Sequence, residues 1–348
     1  MKTSFVSNLT LQNSMRLTIA RAQTEVLKLR EESVTGRFSD VGVALGVKTS
    51  RSLNLQGDLA RMESLISTNA LTTQRLSASQ GALTLMSDAA NKANEALIAL
   101  SGSEGASELD VAKQTFADAI SIFTAAANTS FAGEYLFAGI NTDVMPFNDY
   151  LAEPASPAKA AFDTAFADFM TTNGYATPAD IPAAAMQTFI SDLEASFMGA
   201  GWDDWSNASD QNMTSRISNT EVVQSSTNAN AEGMRKFALG AVIGYELLSL
   251  GLSDETRKTV SDSALAYIGE GITGVDAERT TLGISQARVK QANTSLEAQK
   301  TILTTGIRDL ESVDTYEAAT RLNTLETQLS LAYTLTSKLQ SMSLLNYL

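Results

Sequence analysis

The sequence predicts a mainly α-helical protein: a long antiparallel helical bundle built from the N- and C-terminal regions, with small β elements and an inserted domain of α/β type. Three observations carry this. All five prolines (Pro146, Pro154, Pro157, Pro178, Pro182) fall in one 65-residue window, 146–210, leaving both flanks without the residue that costs a helix interior about 3 kcal/mol or more. Each flank repeats apolar residues at seven-residue spacing. The window has a composition of its own, with both tryptophans (Trp202, Trp205), six of the thirteen phenylalanines, and ten carboxylates against Lys159.

From the N-terminus, Leu11, Met15, Ile19, Ala22, Val26 and Leu29 follow helical spacing. Every seventh residue from 55 reads Leu55, Met62, Asn69, Leu76, Leu83, Ala90, Leu97, apolar at six of seven; the companion seam Leu59, Ile66, Thr73, Gln80, Ser87, Asn94 turns polar. Near the other end Leu282, Val289, Leu296, Leu303 and Leu310 form a ladder beside Ser285, Ala292, Gln299 and Gly306, which suits close antiparallel packing better than an isolated zipper. The last stripe is Leu322, Leu325, Leu329, Ala332, Leu335, Leu339 and Met342, followed by Leu344, Leu345 and Leu348. Neither terminal stripe has an evident partner in its own subunit, so both are read as assembly surfaces that order on association, with packing inside the monomer as the alternative. The expected division is 1–45 with 310–348 as terminal assembly helices, 46–145 with 211–309 as a helical body carrying a β-hairpin, and 146–210 as an inserted acidic domain.

Inside the window, the alanine runs 155–165 and 183–185 predict two short helices, divided near Gly174 and bounded by Pro178 and Pro182. Trp202-Asp203-Asp204-Trp205 has the elements of a sugar or cation site, and reads better as a surface turn with half-buried indoles. Just before the window, Tyr135 and Phe137 alternate as in a strand, and Gly139 to Asp143 reads as its turn. Glu108 with Asp110, and Asp254 with Glu255, read as helix N-terminal charges rather than catalytic pairs. Phe237 to Leu252 is apolar over 16 residues but holds Glu246, too short for a membrane span; its Gly240-x-x-x-Gly244 suits close helix packing.

Composition excludes much chemistry. The 348 residues carry 25 basic and 39 acidic side chains, net −14, with no Cys and no His. Thiolate nucleophiles, disulfides, Cys/His zinc sites and imidazole bases are therefore unavailable. No glycine-rich phosphate loop, metal-ligand spacing or nucleophile–base pair stands in the sequence, so no catalytic, cofactor or metal residue is assigned and no enzyme is expected. An acidic chain without a basic stripe has no electrostatic reason to bind nucleic acid or anionic lipid. No cleavable secretory signal is readable after Lys2, where Asn8, Gln12, Asn13 and Arg16 interrupt the apolar run.

Thr35-Gly36-Arg37-Phe38-Ser39-Asp40, closing the first helix, resembles the Ser/Thr-Gly-Lys/Arg turn of the bacterial flagellin family, and Tyr316 through Leu348 resembles that family's C-terminal helix. The likeness covers roughly residues 1–145 and 225–348. Where many relatives have an Asp-Asp cluster after the turn, this chain has Ser39-Asp40-Val41-Gly42. Phe131-Ala132-Gly133-Glu134-Tyr135-Leu136-Phe137-Ala138-Gly139, followed by Pro146-Phe147, is similar to the run found in the family's hook-filament junction members. The resemblance implies a flagellin-like fold with the window as an outer domain. It also implies a structural adaptor exported without a cleavable signal to the extracellular flagellum. The partners implied are a hook-side junction protein, flagellin, copies of itself in a ring and an export chaperone. A filament subunit, or a type III secretion tip or translocator-like protein, is the alternative.

Overall fold

The computed structural model describes residues 8–100 and 105–345. The proline-free flanks become long helices. α1 (Asn8–Thr35) leads through the short α2 (Val41–Leu45) into α3 (Thr49–Leu100), and α4 (Ala106–Ala127) precedes a hairpin of β1 (Ser130–Phe131) and β2 (Glu134–Tyr135). α5 (Pro157–Asn173) and α6 (Ala183–Met198) follow, then a second hairpin, β3 (Thr214–Arg216) and β4 (Val222–Gln224). α7 (Glu232–Val242) runs into a π-helical turn, Ile243–Leu247, before α8 (Asp254–Glu311) and α9 (Thr315–Leu345). Glu108 and Asp254 with Glu255 stand in the first turns of α4 and α8, where negative charge meets the positive end of the helix dipole.

The chain forms two compact units: one joins the chain up to Ser64 with the chain from Leu296 onward, and the other is Leu65–Ser295. In the first, α1 and α9 lie antiparallel. Gln23 Nε2 donates to Tyr333 Oη at 2.6 Å, Arg30 pairs with Glu326 at 3.1 Å, and Thr336 Oγ1 reaches Met15 Sδ at 4.0 Å. The expectation that the terminal stripes have no partner in their own subunit is thereby corrected, because each is the other's partner. Helical periodicity marks a stripe for burial without naming what covers it.

In the second unit, Leu76, Leu83, Ala90 and Leu97 of α3 are buried with Leu282 and Val289 of α8. The polar seam positions are used rather than wasted: Asn69 Nδ2 donates to Asn293 Oδ1 at 2.7 Å, and Gln80 Nε2 to the Arg279 carbonyl at 2.6 Å. α7 lies on α8 through glycines. A Cβ built on Gly271 would stand 2.8 Å from Phe237 Cβ, and one on Gly240 2.9 Å from the Ile268 nitrogen; Gly244 leaves room for Phe116 of α4. Close helix packing is therefore what the Gly240-x-x-x-Gly244 pair provides.

The window 146–210 contains the two expected helices, with Gly174 ending α5 in the left-handed region at φ +69°. It is helical rather than α/β, which corrects the predicted type. Its one extended pairing among the described residues is the bridge Phe147–Ser206, and the β3–β4 hairpin lies beyond residue 210. The window belongs to the second unit, where the sequence suggests a separate body. Its aromatic residues explain this. Trp205 stacks on Tyr150 at 4.8 Å, Phe147 meets Phe123 of α4 at 5.4 Å, and Phe123 stacks on Phe237 of α7 at 4.5 Å. One aromatic core therefore runs from the body into the window. Trp202 and Trp205 are 2 % and 3 % exposed, so the expected half-buried surface indoles are core residues. Lys236 of α7 adds a charged tie, with Glu194 of α6 at 2.5 Å and Glu270 of α8 at 2.8 Å.

Candidate assembly interface

The Thr35-Gly36-Arg37 turn is a joint. Gly36, at φ +67°, adopts a conformation that costs other residues about 1–2 kcal/mol and turns the chain out of α1. Its carbonyl accepts from Val313 N at 3.0 Å, Phe38 N donates to the Glu311 carbonyl at 3.0 Å, and Arg37 bridges Ser312. The end of α1 is thereby stitched to the α8–α9 turn. Asp40 then caps α2, accepting from Val43 N at 2.9 Å, so the residue found where relatives have an acidic cluster starts a helix.

Glu311 sits at the centre of this joint with a fully buried side chain. Arg37 pairs with it, Ser52 Oγ donates to it, and Gln56 Nε2 donates at 2.7 Å. Burial pushes the carboxyl's pKa up; the Ser52 hydroxyl, the Arg37 charge and the Gln56 amide outweigh burial and hold it below the ordinary value. Ser52, Gln56 and Glu311 are absent from the sequence reading. The available signal was an acid ending α8, where it meets the negative end of the helix dipole and needs donors to offset it. Glu32 repeats the pattern in the last turn of α1, accepting from Ser39 N at 3.2 Å.

The predicted assembly residues divide into two groups. Val26 and Leu29 are buried, and Met15, Ile19, Leu322, Leu325 and Leu329 are half-buried. Leu11 and Leu335 are exposed. The side chains of Leu339, Met342, Leu344 and Leu345 lie outside the described residues, as does Leu348. Sequence spacing missed a second set: Leu17, Leu27 and Val34 on α1, with Leu331 and Tyr333 on α9, are all exposed. The α1–α9 pair thus covers its predicted stripe in part and leaves a second apolar set in water.

The Tyr135 to Phe147 run is an internal clamp. Tyr135 ends the first hairpin, its N–H on the Thr142 carbonyl at 2.8 Å, while Arg75 of α3 pairs with Glu134 and reaches the Tyr135 carbonyl. The expected alternation does not continue, since Leu136 and Phe137 are both buried. Phe137 accepts from Ala229 N at 2.8 Å. Gly139, at φ +63°, leaves space for the Ser209 and Gln211 carbonyls. Asn128, which caps the C-terminus of α4, clasps Phe147 through both its backbone groups, at 3.0 and 2.8 Å, and Pro146 accepts from Asn207 N at 3.0 Å. These positions fasten the window to the body. They present no reactive group to a substrate.

Among the described residues no cluster of acidic side chains is arranged to hold a metal ion, and no helix is long and apolar enough to cross a membrane. Residues 6–142 match the bacterial flagellin N-terminal helical region, and residues 265–348 match the bacterial flagellin C-terminal helical region. No curated protein matches the chain by sequence. Among solved structures, a Vibrio parahaemolyticus protein assigned as a flagellar hook-associated protein superposes with a TM-score of 0.53 at 12 % identity, covering 76 % of this chain and 97 % of the other. Bacillus cereus FlgL superposes with a TM-score of 0.51 at 14 % identity, covering 73 % of this chain and 99 % of the other.

Proposed function

Because this chain belongs to the bacterial flagellin family, matched in both its N-terminal and C-terminal helical regions, we propose that it is the adaptor at the hook-filament junction, joining a hook-side junction protein to flagellin. It is a flagellin-like structural protein, and its work is mechanical coupling. The exposed apolar set on α1 and α9 supports this reading. Leu17, Leu27, Leu331 and Leu335 give the paired helices a surface that neighbouring subunits would cover, in a ring of copies and against flagellin above it. The Tyr135-Leu136-Phe137-Ala138-Gly139 and Pro146-Phe147 run, of the junction type, favours this place over that of a filament subunit. Export would proceed with a chaperone covering the terminal helices. The window 146–210 would face outward, carrying nine of the fourteen net negative charges.

A strain lacking the chain tests the proposal. The expected phenotype is intact hooks without filaments, with flagellin released as monomer into the medium. Filaments of normal length on those hooks would refute it.

A further inference from the structure

Asn173 is the last residue of α5 and Gly174 follows it, the only Asn-Gly pair in the sequence. Both residues are exposed, and a Cβ built on Gly174 would meet nothing, so no packed side chain covers the peptide between them. Local bonds alone hold the pair. Asn173 Nδ2 donates to the Phe169 carbonyl at 2.8 Å, and the Gly174 N–H is shared between the Thr171 carbonyl, at 3.2 Å, and the Met170 carbonyl. All of these lie in the final turn of a helix, the part that opens at least cost.

We propose that Asn173 is a modification site, deamidated by its own backbone. When the final turn opens, the Gly174 nitrogen, having lost its proton to solvent, attacks Asn173 Cγ. A C–N bond forms, the side-chain amide takes up a proton and leaves as ammonia, and a five-membered succinimide remains. Water then opens the ring. Cleavage of the new bond at Cγ gives aspartate, and cleavage of the original peptide bond gives isoaspartate, with the chain rerouted through the side chain. No oxidant or reductant is needed. Gly174 permits ring closure because it has no Cβ to obstruct the approach. The product does not restore the helix end. Its carboxylate has no N–H for the Phe169 carbonyl and stands at the negative end of the α5 dipole, where the last turn holds no Lys or Arg. Conversion therefore loosens the turn and adds a negative charge to a window that already sets ten carboxylates against Lys159.

The full-length folded protein is incubated in mildly alkaline buffer, and peptide mass spectrometry with backbone fragmentation follows the amide-to-acid mass gain at each asparagine and separates aspartate from isoaspartate. Asn207, in the same window but followed by Ala208 and held through Nδ2 by the Met145 carbonyl and Asn148 Oδ1, is the internal reference. The expected result is conversion at Asn173 at least about tenfold faster than at Asn207, with isoaspartate among the products. Gly174→Ala should slow conversion at Asn173 at least about tenfold. That variant strains the left-handed residue at φ +69° and so opens the helix end more often, which by itself would speed the reaction. A slower rate in it therefore reports ring closure at the pair and not a change in folding. A smaller difference in either comparison, or the absence of isoaspartate at position 173, would overturn the proposal.

Discussion

Arg37, in the turn after α1, is ion-paired to Glu311, the buried last residue of α8, across 274 positions of sequence. The pair locks the exit of the first terminal helix to the entrance of the last. Arg37 remains about half exposed while the Glu311 side chain is not exposed at all. Removing the arginine therefore strands a buried carboxylate with two neutral donors. Arg37→Ala should cost about 1–3 kcal/mol of the unit that carries the joint, and Glu311→Gln, which keeps an acceptor for Ser52 and Gln56, should cost less. Denaturant melts followed by circular dichroism check the order.

The same carboxyl makes the joint sensitive to acid. Its folded pKa lies below the ordinary value of 4.5, so the unfolded chain takes up the proton first. Its contribution is complete above that value and is lost as the pH falls through the lowered folded pKa. Wild-type protein should lose more thermal stability between about pH 6 and pH 3 than Glu311→Gln does, and equal losses would remove Glu311 from the account.

Two glycines of α8, two residues apart, should respond in opposite directions. Gly269 has open space where a Cβ would stand, so Gly269→Ala should stabilise by up to about 1 kcal/mol through helix propensity. Gly271 packs against Phe237, so Gly271→Ala forces α7 off α8 and should destabilise by about 1–3 kcal/mol. Thermal melts of the two variants give the comparison directly.

Gly139 and Gly133 form a similar contrast in the clamp. Both have positive φ, but a Cβ on Gly133 meets nothing, while one on Gly139 runs into the Ser209 and Gln211 carbonyls. Gly133→Ala should cost about 1 kcal/mol from backbone strain alone, and Gly139→Ala clearly more. The loss at Gly139 should appear as increased amide exchange near Ser209, whose N–H is bonded to the Ala138 carbonyl.

Exchange should also separate the two units. Among the described residues of α1 and α9 few apolar side chains are buried, chiefly Val26, Leu29 and Ala318, whereas Phe116, Phe123, Phe237 and Leu247 sit in a continuous core. Amides of residues 11–30 and 320–335 in the monomer should exchange faster than those of α4 and α7. Equal protection would mean that the terminal helices are complete without neighbours.

Much of the helical core is legible in the sequence. The Leu76, Leu83, Leu97 and Leu282, Val289 ladders are buried where seven-residue spacing puts them, because a helix in a bundle has one way to hide such a stripe. Gly174 and the prolines bounded α5 and α6 for reasons of backbone geometry. What spacing could not convey was partnership. It marked the stripes at residues 11–29 and 322–342 without indicating that they cover each other. It also missed Leu17, Leu27 and Leu331, which lie off the main stripe. Trp202 and Trp205 looked like surface residues because Asp203 and Asp204 separate them, yet a 3₁₀ turn places both indoles in the core and stacks them on each other. Glu311 escaped notice because one acid beside a leucine ladder has no pattern, and its donors lie some 255 residues away in sequence.

The central claim, a place at the junction rather than along the filament, is tested most directly by where the assembled protein resides. An epitope tag in the exposed Thr171–Gly174 end of α5 would be labelled with gold on intact flagella. The account predicts a single narrow band at the distal end of each hook, with the filament beyond it bare. Label distributed along the whole filament would contradict it and make the chain a filament subunit.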